Sequence, residues 1–243
     1  MRKYVAILLL IAIAGCTTPV ERKAVYCPPP PTPVCAPGKF DKTLLDTTFH
    51  GIGHPQNHIT EIPPPFNGDG NEDAIAFIPS GNGLIALMTS DRYDLTSEGS
   101  ATGVQKLYSA RMISTTQYSP LRRVGIPDSM VPVGAGVYCA ADGLFYFSAK
   151  ARNIDPNDYD IFNGKVEVIG DSVAITNIRS AGTINAATFF DSQPALDATG
   201  LNIYFISDRT GGSGGTDLWH ASRASLSQDW SAPEPLAPPV NSE

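Results

Sequence analysis

The strongest constraint on this chain is an internal repeat of a little under sixty residues. After residue 40, three segments run through the same order of short apolar strands, a glycine-bearing turn and a polar loop. Serines end the second strand of each unit, spaced by 58 and 59 residues, at Ser90, Ser148 and Ser207. Apolar pairs mark the third strands, spaced by 54 and 57 residues, and start at Leu107, Ile161 and Leu218. A unit this small cannot bury both faces of its sheet, so neighbouring units must stack.

Four short strands per unit at this period predict an all-β fold of the β-propeller type. The 22 glycines and 21 prolines favour many turns, and the 42% of hydrophobic residues suffice for a core. We expect three complete blades at about residues 66–125, 126–184 and 185–243, after a lead-in at 41–65 that carries an extra outer strand. Because propellers close with about four to eight blades, we expect this chain to be part of a larger propeller.

The amino terminus is typical of an export signal. Residues 1–15 begin with Arg2 and Lys3 and continue with an apolar run that is too short to span a membrane. The run ends in Ala14-Gly15-Cys16, which resembles a bacterial lipobox, and this resemblance implies acylation of Cys16, including palmitate. Since Thr17 and not aspartate follows, the resemblance implies a lipid anchor in the outer membrane, on its periplasmic face.

Residues 16–40 are predicted to form a tether between the lipid and the folded part. Four consecutive prolines at 28–31 favour a stiff polyproline II segment. An oxidising compartment allows a disulfide between Cys27 and Cys35. Polyproline would nevertheless hold these cysteines about 20 Å apart, so pairing requires a chain reversal near Pro33, and both states remain open. Cys139 is expected to be a lone buried thiol in a strand.

The third repeat carries a motif that resembles a known family. The stretch "QPALDATGLNIYFISDRTGGSGGTDLW" resembles the TolB-type, WD-like propeller repeat, which is also found in the front half of OmpA-family outer-membrane proteins. The resemblance covers about residues 58–243. Its motif residues are Ser90, Asp91 and Arg92 in the first repeat and Ser207, Asp208, Arg209, Asp217 and Trp219 in the third. The second repeat departs from the motif with Ala149-Lys150. The resemblance implies a propeller that serves as a binding platform.

The residues of the motif favour structural roles. Serine and aspartate at a strand end can bond turn amides, and the arginine can pair with a carboxylate. The glycine run at 211–215 lacks the lysine of a P-loop and the following helix of a dinucleotide-binding motif. We therefore interpret it as a wide turn and predict no cofactor.

One oxygen-rich stretch raises the question of a metal. Asn67, Asp69, Asn71 and Asp73 alternate as in a calcium loop. The glycine and glutamate that an EF-hand needs at its sixth and twelfth positions are absent, which excludes that motif. A different kind of calcium turn and a plain blade-opening turn both remain open.

Charge and motif content limit the possible functions. The net charge of −7, without a basic cluster, argues against nucleic-acid binding. No nucleophile elbow or zinc-protease motif is present. We expect a non-catalytic, lipid-anchored envelope protein that acts as an interaction scaffold for an envelope or outer-membrane protein. The alternative is a glycan-binding or hydrolytic propeller of the cell envelope.

Overall fold

The computed structural model describes residues 64–67, 70–81, 83–92, 104–114, 116–150 and 159–242. This part of the chain is all-β, as predicted, with two short 3-10 helices at Asp128–Met130 and Gly182–Ile184. It contains no helix long and apolar enough to cross a membrane. The predictions for the signal peptide, Cys16 and the tether with Cys27 and Cys35 fall outside these residues. The same holds for the extra outer strand, except for Pro64 and Pro65, which lie in a turn.

The strands form three antiparallel sheets, one after another along the chain. Sheet 1 contains β1 (Glu72–Ser80), β2 (Gly83–Ser90), β3 (Lys106–Ser114), β4 (Gln117–Tyr118) and β5 (Arg122–Arg123). Sheet 2 contains β6 (Val133–Cys139), β7 (Leu144–Lys150), β8 (Tyr159–Ile169) and β9 (Ser172–Ser180). Sheet 3 contains β10 (Asp191–Leu196), β11 (Asn202–Ser207), β12 (Asp217–Ser222) and β13 (Glu234–Pro235).

Each sheet is a meander in which successive strands are neighbours, except that β4 and β5 of sheet 1 both pair with β3. Tight turns make this order possible. The β6–β7 turn, for example, has Gly143 at φ 74°, a conformation that disfavours side chains. Repetition of the sequence therefore appears as repetition of strand order, because each unit has the same alternation of strand and turn.

The first strand of every sheet contains a β-bulge near its start. The irregularities fall between Asp73 and Ala76 in β1, between Val133 and Gly136 in β6, and between Ser192 and Ala195 in β10. These first strands lie side by side, since β6 contacts both β1 and β10. A bulge bends its strand and redirects side chains, so all three bulges shape the same central region.

Apolar clusters join the sheets face to face. Leu87 of sheet 1 packs with Phe147 of sheet 2 in one cluster, and Tyr146 of sheet 2 packs with Phe205 of sheet 3 in another. Successive residues of β7 thus face opposite neighbours, as the two-residue period of a strand requires. The far face of sheet 1 is also buried, in a cluster that includes Met88, Tyr108 and Phe66.

The structure corrects one register derived from the sequence. Ser90 and Ser207 pair with Lys106 and Asp217, the residues just before Leu107 and Leu218. Ser148 instead pairs with Ile161 itself. Ser148 therefore corresponds to Thr89 and Ile206, and Ala149 occupies the position of the motif serine. Sheet 2 has no motif arginine for a serine to bind.

Candidate functional site

Arg209 of the third repeat is fixed by contacts with its own sheet and with the segment that leads into it. Its Nε and backbone N–H both donate to Oγ of Ser207, and Nη2 donates to the buried carboxylate of Asp191 and to the carbonyl of Ile184. The guanidinium also lies over the rings of Phe205 and Trp219, 5.1 and 5.2 Å from their centroids. We call this arrangement the arginine clasp. It ties the strand end to the segment that enters the sheet.

Arg92 forms the same clasp in sheet 1. Its Nε donates to Ser90 Oγ at 3.2 Å, and Nη2 donates to Glu72 at 2.9 Å and to the carbonyl of Phe66 at 2.7 Å. The neighbouring aspartates also match. Asp91 accepts the backbone N–H of Asn71 at 2.6 Å, as Asp208 accepts that of Phe190 at 2.7 Å. The side chains of these motif residues are therefore hydrogen-bonded within the protein.

The glycine run folds around the chain's own carboxylate. Oδ2 of Asp217 accepts backbone N–H groups from Ser213 at 2.6 Å and from Gly214 at 3.0 Å. A Cβ on Gly212 would overlap this oxygen. The amides that could hold a phosphate therefore bind Asp217, which is buried at the start of β12.

Two asparagines, 56 residues apart in the sequence, each bind the third strand of a sheet. Asn185 accepts the N–H of Ile161 at 2.8 Å and donates to its carbonyl at 2.8 Å. Asn241 does the same with Leu218, at 2.9 Å each. We call each of these an asparagine latch. Each latch satisfies both backbone groups of the residue that it binds.

The calcium hypothesis stays a prediction, because Asp69 lies outside the described residues. Asn71 donates its side-chain amide to Asp91 at 2.7 Å, and Asp73 accepts from Gln105 at 3.2 Å. Within the described ranges, no group of three histidine, cysteine, aspartate or glutamate side chains is arranged to hold a metal ion.

A buried ion pair that the sequence did not reveal joins sheets 2 and 3. Arg223 donates to Asp142 at 2.7 Å, and both side chains are largely buried. Burial alone would raise the pKa of Asp142, but hydrogen bonds from Arg223, Tyr146 and the Leu144 N–H hold it below its ordinary value. Burial also raises the pKa of the neighbouring Cys139, the predicted buried thiol at the end of β6. This cluster is a structural link between sheets.

The three bulges surround a cavity of about 390 Å³, which we call the central pocket. Its lining comes from the first strands of all three sheets and from residues next to them: Asp73, Ala74, Gln105, Gly134, Ala135, Tyr159, Phe190, Ser192 and Gln193. Tyr159 and Phe190 meet edge to face, with centroids 5.6 Å apart. A pocket of this size, with a few polar groups beside aromatic rings, suits a small ligand or one side chain.

Sheet 3 presents an open apolar face on the side away from sheet 2. Tyr204 and Leu218 are 39% and 36% exposed there. Their counterparts in sheet 2, Tyr146 and Ile161, are 1% and 0% exposed under sheet 3. The counterparts in sheet 1 are likewise covered by sheet 2: Leu87 and Leu107, at 0% and 1%. None of the described residues covers the same positions on sheet 3.

Comparison with known proteins does not assign a family. No family model and no curated protein matches the chain. One solved structure that matches is a Mycobacterium tuberculosis puromycin-hydrolyzing peptidase, with 13% identity and a TM-score of 0.41. The match covers 70% of this chain and 24% of that one, so this chain spans about a quarter of its length. At this TM-score the likeness does not bear on fold or function.

Proposed function

We propose that this protein is a lipid-anchored β-propeller of the bacterial envelope that acts as a non-catalytic scaffold for another protein. The observation that carries the proposal is the open face of sheet 3. Positions that are buried under the next sheet in sheets 1 and 2 are more than a third exposed here. Exposed apolar side chains at positions that the other sheets bury against a neighbour favour a site of protein interaction.

The repeat also indicates what the partner presents. On sheet 2, the counterpart positions are covered by Phe205 and Trp219 of sheet 3. A partner of matching shape therefore offers a β-sheet face with apolar and aromatic side chains. His220 lies beside Tyr204, with ring centroids 4.9 Å apart, and gives this surface a polar margin.

The proposed propeller type, lipid anchor and outer-membrane location are argued from the sequence. Three sheets of the same strand order support a TolB-type propeller, and the lipobox-like stretch supports acylation of Cys16 in the outer membrane. Incorporation of labelled palmitate should be lost in Cys16→Ser, and the variant should leave the membrane fraction. Retention of both label and membrane association would contradict the anchor.

Site-specific photo-crosslinking tests the scaffold role. A photoreactive phenylalanine analogue at Leu218 should give one discrete adduct with an envelope protein, because Leu218 lies in the open face. The same analogue at Ile169, the last residue of β8, which is 75% exposed, is the matched control. Leu218→Asp should abolish stoichiometric co-purification of that protein and leave the melting temperature unchanged. Equal adducts from both positions, or none from Leu218, would refute the proposal.

The alternative function, a glycan-binding or hydrolytic propeller, would use the central pocket. Glycoside hydrolysis generally requires two carboxyl groups across the scissile bond. Of the described lining residues, Asp73 is the one acid. This arrangement favours binding over catalysis.

A further inference from the structure

The central pocket carries a formal negative charge. Asp73 is the one ionisable acid among its described lining residues, and none of them is lysine, arginine or histidine. Oδ2 of Asp73 accepts from Nε2 of Gln105 at 3.2 Å. Among the described residues, the second carboxylate oxygen has no hydrogen-bond donor. A half-buried carboxylate with a spare acceptor oxygen favours a ligand that brings a donor and a positive charge.

Two aromatic side chains line the same pocket. Tyr159 and Phe190 pack edge to face at an interplanar angle of 66°, and both side chains line the pocket. Burial raises the pKa of Tyr159, so its side chain stays a neutral phenol at physiological pH. The face of a neutral aromatic ring attracts cations.

The strand bulges hold the pocket wall in an uncommon backbone conformation. Ala74 and Gln193 occupy the same place in the bulges of β1 and β10, with φ of 49° and 53°. Residues other than glycine rarely adopt this conformation, and where they do they cluster at binding sites. Gln193 is exposed and adds an amide to the lining.

We propose that the central pocket binds an organic cation of amino-acid side-chain size, such as the ammonium group of a lysine, with Asp73 as its counter-ion. The cavity of about 390 Å³ is large enough for such a chain. The net charge of −7 would increase the rate at which cations reach it. This site is separate from the open face of sheet 3. The proposal of a cation site therefore goes beyond the scaffold role and can be tested independently of it.

Titration of the full chain in detergent with Nα-acetyl-lysine methylamide tests the proposal. We expect saturable binding that weakens as salt is added. Nα,Nε-diacetyl-lysine methylamide, which has the same chain without the charge, should not bind. Asp73→Asn should reduce affinity about tenfold or more, because it removes the counter-ion but keeps the side-chain shape. The control Asp171→Asn changes an exposed acid at the far end of β8 and should bind like the wild type.

Tyr159→Leu provides a second test that does not depend on Asp73, and it should also weaken binding, because the ring face is lost. Melting temperatures of all variants show whether they fold. Unchanged affinity in folded Asp73→Asn would refute the proposal, as would absence of saturation by the lysine derivative. Binding of N-acetylglucosamine in preference to the lysine derivative would also overturn it and identify a neutral glycan site instead.

Discussion

Asp142 accepts a hydrogen bond from Arg223 at 2.7 Å across the boundary between sheets 2 and 3. The carboxylate also accepts the hydroxyl of Tyr146 at 2.7 Å. On the other side, Arg223 donates to the carbonyl of Gly200 at 2.8 Å and lies over Trp230, 4.3 Å from the ring centroid. Both charges therefore have several partners, and loss of either side chain leaves the other buried without its counter-ion.

This ion pair predicts how stability depends on pH. Because the folded pKa of Asp142 is lowered from its ordinary value of 3.8, the pair stabilises the fold fully above that value. The contribution is lost as the pH falls below 3.8 through the lowered pKa. Asp142→Asn should lower the free energy of unfolding by about 3 kcal/mol at neutral pH. Urea denaturation across this pH range should show that the difference in free energy of unfolding between Asp142→Asn and the wild type becomes smaller at acidic pH.

The exposed pair of Arg123 and Asp128 is the control for that measurement. Its atoms are 3.0 Å apart, but the Asp128 side chain is 91% exposed. Exposed ion pairs contribute little, so Asp128→Asn should leave stability unchanged. A difference between Asp142→Asn and the wild type that stays constant down to the lowest pH would contradict the role of Asp142.

The glycine run offers a test within a single loop. Gly212→Ala should destabilise the protein by about 1–3 kcal/mol, because the new methyl group displaces the Asp217 carboxylate from its amides. Gly215→Ala is the matched control, since nothing lies within 4 Å of its added carbon. Thermal melting of both variants measures the difference. Equal melting temperatures would show that the loop does not depend on the amide contacts of Asp217.

The two arginine clasps should differ in strength. Asp191 is 0% exposed beside Arg209, whereas Glu72 is 16% exposed beside Arg92. Removal of the arginine therefore leaves a more deeply buried carboxylate without its counter-ion in sheet 3 than in sheet 1. Arg209→Met should therefore cost about 3–5 kcal/mol, and Arg92→Met clearly less. Denaturant titrations rank the two variants, and the reverse order would contradict this account.

Hydrogen exchange can test each asparagine latch separately. Asn185→Ala removes the acceptor for the Ile161 N–H, which should then exchange faster while the Leu218 N–H is unaffected. Asn241→Ala should have the reciprocal effect. Asn185→Ala leaves backbone groups of the buried Ile161 unsatisfied and should cost about 1–3 kcal/mol, and Asn241→Ala less, because Leu218 is 36% exposed. Unchanged exchange at Ile161 in Asn185→Ala would refute the latch.

The sequence predicted strand order better than register. Repetition of turns and apolar strands was enough to predict three similar sheets. The spacing of serines misplaced Ser148 by one residue, because Ser148 pairs with Ile161 itself, whereas Ser90 and Ser207 pair with the residues just before Leu107 and Leu218. In sheets 1 and 3 the strand-end serine binds the motif arginine. Sheet 2 lacks this arginine, so a serine there does not mark the same position in the strand.

Contacts between sheets were beyond prediction from sequence. Asp142 and Arg223 are 81 residues apart, and no motif connects them. The central pocket likewise depends on three bulges, at Ala74, Ala135 and Gln193, which only the alignment of first strands brings together. By contrast, the bond from the Arg209 N–H to Ser207 Oγ is local, and the residue type of Ser207 suggested it. Asp208 instead accepts from the N–H of Phe190, which is 18 residues away.

The asparagine latches also affect how the protein is expected to unfold. Asn185 belongs to the segment that leads into sheet 3, yet it binds the third strand of sheet 2. Loss of sheet 3 would therefore remove a hydrogen-bond partner from its predecessor. In a linear array, such nearest-neighbour coupling raises the cost of a junction between folded and unfolded units. The chain should accordingly resist fraying and unfold over several repeats in a single cooperative step.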